Sequence, residues 1–202
     1  MSTDSYPNPL FDTWTETSSH VFNSVLEANR AAFAAFGLSS NDDEPTPADR
    51  IEPDDDLPEW TVELTEHDRS ALGVGDRVSF TKRISENDVR QFAAASGDTN
   101  PLHMDDDFAE KTRFGGRIVH GTLVGGLISA ALARLPGLII YLSQDLEFHN
   151  PVRIGDRLTA DCEIVEDLGH DQYRLSTTIT NADGGDTIID GEAVVLIDEL
   201  PE

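Results

Sequence analysis

Apolar and polar residues alternate along the second half of the chain. In residues 157–166 the apolar positions are Leu158, Ala160, Cys162 and Ile164. A period of two with one apolar face is typical of a half-buried β-strand. Similar stretches predict further strands at residues 77–83, 138–149, 173–179 and 187–197, separated by turn-forming runs such as Gly169-His170-Asp171 and Asp183-Gly184-Gly185.

Two helices are predicted among these strands. Residues 120–135 carry apolar or small side chains on all sides, which predicts a helix that is buried on every face. A shorter helix should begin at the capping box of Ser85 and Asp88 and end at Gly97. The polar residues 98–117 predict a loop. One long buried helix with an antiparallel sheet of about five strands is an α+β arrangement.

The first 59 residues follow a different pattern. Residues 9–38 place apolar side chains at helical spacing and predict an amphipathic helix with an aromatic-rich face. Residues 39–59 are acidic and contain four prolines, so they cannot bury enough apolar surface to form a core. We therefore expect three segments: an amphipathic helical segment in residues 1–38, a flexible acidic linker in residues 39–59 and one folded domain in residues 60–202.

The chain is strongly acidic. It has 39 Asp and Glu residues against 14 Lys and Arg, of which twelve are Arg, and a formal charge of −25. Such a charge repels nucleic acids and anionic lipids, so neither is an expected partner. Because salt screens this self-repulsion, the composition predicts a halophilic protein from a salt-rich cytoplasm. An ordinary acidic protein with a solvated tail is the alternative.

Cysteine usage and hydropathy indicate the kinds of site and the cellular location to expect. The single cysteine, Cys162, excludes an internal disulfide and a multi-cysteine metal site, and its place in a predicted strand indicates a core residue. The N-terminus lacks the pattern of a signal peptide, and no apolar segment has the length needed to span a bilayer. We expect a soluble, cytoplasmic protein.

The most informative stretch is Gly97-Asp98-Thr99-Asn100-Pro101-Leu102-His103. Together with residues 114–121 and 148–156, it resembles the signature of the MaoC-like (R)-specific enoyl-CoA hydratases. The resemblance covers most of residues 74–197 and does not reach residues 1–59. One departure, Ala95 where a larger aliphatic residue is usual, concerns the packing of the short helix rather than the chemistry.

The resemblance implies a hot-dog fold, in which an antiparallel sheet wraps around a long helix, and a homodimer. It also implies hydration of trans-2-enoyl-CoA to (R)-3-hydroxyacyl-CoA without a cofactor, since CoA is part of the substrate. As in the family, Asp98 and His103 would hold one water molecule, and proton transfer to the neighbouring carbon would make the addition syn. A histidine suits this role because its ordinary pKa lies near neutrality.

The same resemblance gives supporting roles to Asn100 and Gly121. Asn100 would orient Asp98 and His103 by hydrogen bonding, or would simply form an Asx turn. Gly121 opens the long helix, where backbone amides without partners and the helix dipole favour a developing oxyanion. The alternative is that Gly121 only permits close packing.

Four further residues are candidates for substrate binding. Arg113 and Arg117, like Lys111 and Arg153, are cations that suit the phosphates of CoA, although each could equally be scattered surface charge; Phe114 lies between Arg113 and Arg117 in the motif. His120 could contact substrate, although a histidine beside a helix start is more often structural. No metal is expected, because residues 103–107 fit a solvated acidic turn better than a metal site.

Other functions remain open from the residues alone. A hot-dog thioesterase would hydrolyse the same thioester, although the residues around His103 argue against it. Acyl-carrier-protein dehydratases of this fold place an acid on the central helix, and residues 122–135 contain neither Asp nor Glu. A non-catalytic module could attach to polyester storage granules through residues 9–38. An active hydratase tethered there would supply polyhydroxyalkanoate monomers, and a helix that docks on its own domain is the simpler alternative.

Overall fold

The structure, a computed structural model, describes Leu57 and residues 59–201. The predicted amphipathic helix and nearly all of the predicted linker lie outside these residues. Among the residues described, no helix is both long and apolar enough to cross a membrane. The helices and strands, in chain order, are β1 (Thr61–Leu64), β2 (Arg77–Arg83), α1 (Glu86–Ser96), α2 (Pro101–Met104), α3 (Asp106–Ala109), α4 (Gly121–Leu132), β3 (Leu138–Phe148), β4 (Arg157–Gly169), β5 (Gln172–Asn181) and β6 (Thr187–Asp198), with a 3-10 helix at Arg69–Ala71.

The six strands form one antiparallel sheet in the order β1-β2-β4-β5-β6-β3. The long helix α4 contacts β2, β3, β4 and β5, so the sheet wraps around it. The predicted α+β class and hot-dog fold are confirmed. β1 is the one strand of the sheet that the pattern of residues does not predict, because four residues are too few to show a period.

The core lies between α4 and the inner face of the sheet. The apolar positions of β4 that the alternation predicts, Leu158, Ala160, Cys162 and Ile164, are all fully buried. On the facing helix the buried residues are Val124, Gly125, Leu127, Ile128, Ala131 and Leu132. Each aliphatic side chain buried in this way contributes about 1.5–3 kcal/mol, so this contact is the main force that holds α4 against the sheet.

Local signals set the ends of the elements as predicted. Ser85 Oγ accepts a hydrogen bond from the Asp88 N–H, and the Asp88 carboxylate accepts one from the Ser85 N–H, which completes the capping box of α1. Gly97 ends this helix with a φ of 78°, a left-handed conformation that suits glycine. His170 and Asp171 join β4 to β5 with φ values of 56° and 59°, as in a type I′ hairpin turn.

Residues 98–117 are not the continuous loop that their polarity predicts. The side chain of Asn100 caps α2 by accepting a hydrogen bond from the Leu102 N–H at 3.1 Å, and Pro101 takes the first helical position. Asp105 caps α3 through the Phe108 N–H at 3.0 Å. Both helices are single turns, too short for an apolar period to reveal them.

The helix α4 is also less buried than predicted. Thr122, Gly126, Ser129 and Ala133 recur every three or four residues and are exposed in the described chain. We call these four positions the small-residue stripe. Small side chains suit a tightly packed helix face and an exposed one equally, so their presence in the sequence does not distinguish the two.

Candidate active site

The chain between α1 and α2 positions the first predicted site residue. Asp98 is exposed, and its Oδ1 accepts a hydrogen bond from the backbone N–H of Asn100 at 3.2 Å. The Asn100 side chain is itself occupied in capping α2. Asn100 therefore holds Asp98 through its backbone, while its side chain makes the Asx turn that is the simpler of its two expected roles.

The helix α2 carries His103 into a nearly enclosed position, where it is 8% exposed. Its Nδ1 lies 2.8 Å from the carbonyl oxygen of Ile118. Because a carbonyl oxygen only accepts, Nδ1 must be the protonated nitrogen in the neutral ring. The lone pair of His103 is then on Nε2, where it can take a proton from a bound molecule.

His103 neighbours His120, which occupies the N-cap position of α4 and is 1% exposed. Its Nε2 lies 2.9 Å from the backbone oxygen of Asp98, and its ring centre lies 4.0 Å from that of His103. One donor atom each of Asp98, His103 and His120 lies within 4.8 Å of the others. The structure thus brings Asp98 and His103 together, and it encloses His120 as a hydrogen-bonding residue, the more common of the two roles considered for it.

Gly121 begins α4 beside this cluster. The preceding residue, His120, supplies no side-chain cap, so no side chain there competes for the first backbone amides of the helix. A Cβ on Gly121 would lie 2.9 Å from Cε1 of Phe148, closer than carbon atoms normally approach. The position therefore requires glycine for packing against Phe148.

A cleft of about 270 Å³ opens next to His103 and Gly121. Arg113 and Phe114, two of the predicted substrate-binding residues, lie on its wall, and the guanidinium carbon of Arg113 lies 4.9 Å from the centre of the Phe114 ring. Asp98 is not among the residues that line it. The remaining lining residues are largely apolar: Ile118, Val119, Val124, Phe148, His149, Asn150, Pro151, Val152, Ile188 and Ile189.

Several lining residues belong to the end of β3 and the turn after it, which the motif analysis does not mark as functional. Phe148, His149 and Asn150 lie here, and the Asn150 side chain is held by a hydrogen bond to the carbonyl of Thr187 at 2.7 Å. They belong to the stretch 148–156 on which the family resemblance rests. The resemblance of this whole stretch to the family signature, rather than any single residue in it, is what could have identified these residues as part of the site.

Arg117 has a different role from the one predicted. Its guanidinium donates to Glu86 at 2.8 Å and to Asp106 at 2.8 Å, and its side chain is only 13% exposed. The hydrogen bond from Arg117 holds the pKa of the Glu86 carboxyl below its usual value. Arg117 therefore ties α1 to α3, and its guanidinium is engaged by two carboxylates.

The comparison with known families decides where this chain belongs. A model described as the MaoC-like domain matches residues 71–184, more than half of the chain. The chain belongs to the MaoC-like domain family. The match includes all four helices, α1 to α4, and so includes every predicted site residue.

Two sequence relatives and one solved structure illustrate the MaoC-like family. The chain is 44% identical to the (R)-specific enoyl-CoA hydratase of Rhodospirillum rubrum over 126 residues, which cover 61% of this chain and 86% of the relative. It is 34% identical to a mitochondrial 3-hydroxyacyl-(acyl-carrier-protein) dehydratase of Arabidopsis thaliana over 136 residues, 65% of this chain and 81% of the relative. The (R)-hydratase of Aeromonas caviae involved in PHA biosynthesis matches with a TM-score of 0.59 and 40% identity, over 65% of this chain and 98% of that structure.

Proposed function

We propose that this MaoC-like protein adds water to trans-2-enoyl-CoA and forms (R)-3-hydroxyacyl-CoA. The observation that carries the proposal is the pairing of Asp98 with His103 beside the apolar cleft. A carboxylate oxygen of Asp98 and a ring nitrogen of His103 lie within 4.8 Å of each other, and His103 and Gly121 both lie on the wall of the cleft. The relatives named as (R)-specific hydratases give independent support.

The reaction follows from what each group can do. A water molecule held between Asp98 and His103 loses a proton to His103 Nε2 as its oxygen bonds to C3 of the enoyl group. A proton returned from the same pair to C2 completes the addition on one face. The thioester oxygen, which becomes enolate-like, accepts a hydrogen bond from Gly121, and one such donor is worth about 3 kcal/mol in the transition state.

The cleft suits a thioester with a long anionic carrier. Its apolar wall can cover the pantetheine arm and the reacting carbons, and excluding water there strengthens the hydrogen bond from Gly121. Arg113 lies on its wall against the Phe114 ring and would contact a phosphate of CoA. Because Arg117 is engaged with Glu86 and Asp106, Arg113 is the stronger candidate of the two.

The first test is hydration of crotonyl-CoA, followed by loss of the enoyl absorbance. Asp98→Asn and His103→Gln should each lower kcat by about 100-fold or more, the usual contribution of a positioned acid or base. Asp107→Asn and His67→Gln make the same chemical changes at exposed positions outside the site and should keep wild-type activity. A wild-type protein that is folded but does not hydrate crotonyl-CoA would contradict the proposed function.

The carrier can be determined in the same assay. The relative named for acyl-carrier-protein thioesters favours a second candidate substrate, crotonyl-acyl-carrier protein. Side-by-side kcat/KM values should be higher for the CoA thioester. Release of free thiol instead of loss of the enoyl group would indicate the thioesterase alternative.

We also propose that two chains form a homodimer through β3. This strand is at the edge of the sheet, and its exposed side chains include Leu138, Ile140, Tyr141 and Leu142. An unpaired edge with apolar side chains favours pairing with another strand. Sedimentation should give a mass of twice 22.1 kDa, and Leu142→Lys should shift it towards the single chain; a wild-type monomer would contradict the dimer.

A role in polyester supply extends the same proposal. (R)-3-hydroxyacyl-CoA is the precursor of polyhydroxyalkanoates, and the Aeromonas caviae relative is named for that biosynthesis. Residues 9–38 would attach the enzyme to storage granules. Removing residues 1–59 should preserve hydration of crotonyl-CoA and abolish co-sedimentation with granules; co-sedimentation of the shortened chain would contradict the attachment.

A further inference from the structure

We infer that Asp98, His103 and His120 form a binding site for a zinc-like transition-metal dication, and that the bound ion inhibits the enzyme. The three side chains offer two imidazole nitrogens and one carboxylate oxygen within 4.8 Å of one another. Two histidines and a carboxylate are a donor set that first-row transition metals prefer over magnesium or calcium. The hydration itself uses no metal, so the ion would compete with it.

The hydrogen bonds fix which nitrogens are free. His103 Nδ1 donates to the carbonyl of Ile118, and His120 Nε2 donates to the carbonyl of Asp98. This leaves a lone pair on His103 Nε2 and on His120 Nδ1. Histidines that bind metals almost always donate their other ring N–H to such a carbonyl or carboxylate, so both rings already have the outer hydrogen bond that a metal ligand needs.

The second nitrogen of His120 is the most direct indication of a ligand. His120 is 1% exposed, and its Nδ1 is buried without a hydrogen-bond partner among the described atoms. A buried acceptor in this condition is costly. The ring is packed between Phe92 and His103, so it cannot turn away to find a partner elsewhere.

The side chains must adjust to hold the ion. Zinc–nitrogen bonds of about 2.0–2.1 Å in a tetrahedral site place donor atoms roughly 3.3 Å apart. The donor atoms lie within 4.8 Å of one another, and the two rings, whose centres are 4.0 Å apart with planes at 35°, must open slightly so that both lone pairs point at one ion. Asp98 is exposed and can rotate towards the two enclosed rings, which leaves the fourth coordination position open to water.

Inhibition follows because the ion and the reaction need the same lone pair. A metal bound to His103 Nε2 prevents this nitrogen from taking a proton from the attacking water. This part of the inference rests on the proposed hydratase function, whereas the binding itself does not.

The chain contains a matched control cluster at the ends of β3 and β6. Glu147, His149 and Asp190 also place donor atoms within 4.8 Å of one another. All three are exposed, and His149 Nε2 is already bonded to the Asp190 carboxylate. This second cluster therefore has no buried nitrogen without a partner, whereas the first cluster has one in His120.

The experiment is calorimetric titration of the tag-free, EDTA-treated full chain with zinc chloride, and with cobalt chloride for its visible absorption spectrum. We expect one zinc ion per chain. His120→Gln, which keeps a side-chain N–H donor but removes the Nδ1 ligand, should weaken binding at least about 10-fold. His149→Gln should bind zinc like the wild type and give the same cobalt spectrum.

Three results would overturn the inference: no zinc binding by the wild type, loss of binding in His149→Gln, or several weak sites that His120→Gln leaves unchanged. The inhibition is measured separately. Zinc should lower kcat for crotonyl-CoA, and EDTA should restore it; bound zinc without inhibition would refute that half. If the protein binds zinc through His120 but has no hydratase activity, the proposed function is wrong and the metal site is still supported.

Discussion

A single backbone carbonyl decides which nitrogen of His103 carries the proton. The bond from Nδ1 to Ile118 presents Nε2 to Asp98 without a further side chain to orient the ring. The sequence motifs include Asp98, His103, Ile118 and His120, but they do not reveal the hydrogen bonds from His103 to Ile118 and from His120 to the Asp98 carbonyl. These partners are 15 and 22 residues away in the chain, and only folding brings them together.

Gly121 is the residue where packing and catalysis can be tested together. Gly121→Ala places a Cβ 2.9 Å from Phe148, which should push that ring aside and move the first amide of α4. We expect kcat/KM for crotonyl-CoA to fall by about 10-fold or more, short of the full loss of an oxyanion donor. Gly73→Ala is the control, because nothing lies within 4 Å of its new Cβ; equal activity of both variants would contradict the role of Gly121.

Arg113 and Arg117 should separate substrate binding from stability. Arg117→Met removes the donor to Glu86 and Asp106 and should lower the free energy of unfolding by about 1–3 kcal/mol, with little effect on the KM. Arg113→Met should raise the KM for crotonyl-CoA and leave the melting temperature unchanged. The reverse pattern in unfolding and kinetic measurements would restore Arg117 as the CoA contact.

The Arg117 variant also has a pH signature. The folded-state pKa of Glu86 is lowered, chiefly by the hydrogen bond from Arg117. Such a group stabilises the fold above its unfolded pKa, and this contribution is lost as the pH falls through the lowered value. Melting temperatures of Arg117→Met should therefore decrease less steeply in acid than those of the wild type.

At the scale of helices and strands, the predictions succeed where apolar residues recur at a fixed spacing or where two residues are enough to mark the end of a helix. The alternation in β4 and the capping box of α1 are of this kind. α2 and α3 are single turns, and the exposure of the small-residue stripe depends on what the rest of the chain covers. None of these features produces a pattern within its own few residues, so each becomes visible only in the folded chain.

The buried thiol of Cys162 in the central strand β4 can be used to measure whether this strand stays folded. Burial raises the pKa of the Cys162 thiol to about 12, with a smaller contribution from Asp161. We expect no reaction with a disulfide reagent at pH 8 in the native protein and complete reaction after unfolding. Val165→Cys, on the same strand and 41% exposed in the wild type, should add one thiol that reacts at once; rapid labelling of Cys162 itself would show that β4 opens.

At the scale of the whole molecule, a charge of −25 dominates the response to salt. Arg77, Arg117 and Arg174 each contact two carboxylates, yet acids outnumber bases by 39 to 14. The remaining repulsion is screened over about 3 Å at 1 M salt instead of about 10 Å at 0.1 M. The melting temperature should therefore rise from 0.1 to 2 M potassium chloride, and a flat or falling curve would contradict a halophilic protein.

The order of the strands in the sheet has a consequence for how the chain is made. β4 pairs with β5, and β5 pairs with β6, so each of these two strands pairs with its immediate successor. Among the described strands, β3 pairs only with β6, which is synthesised after all the others. Until Thr187–Asp198 has left the ribosome, the eleven residues of β3 have no partner in the sheet. A translation pause before Thr187 would therefore hold an unpaired apolar strand in solution, the state in which nascent chains aggregate or recruit chaperones.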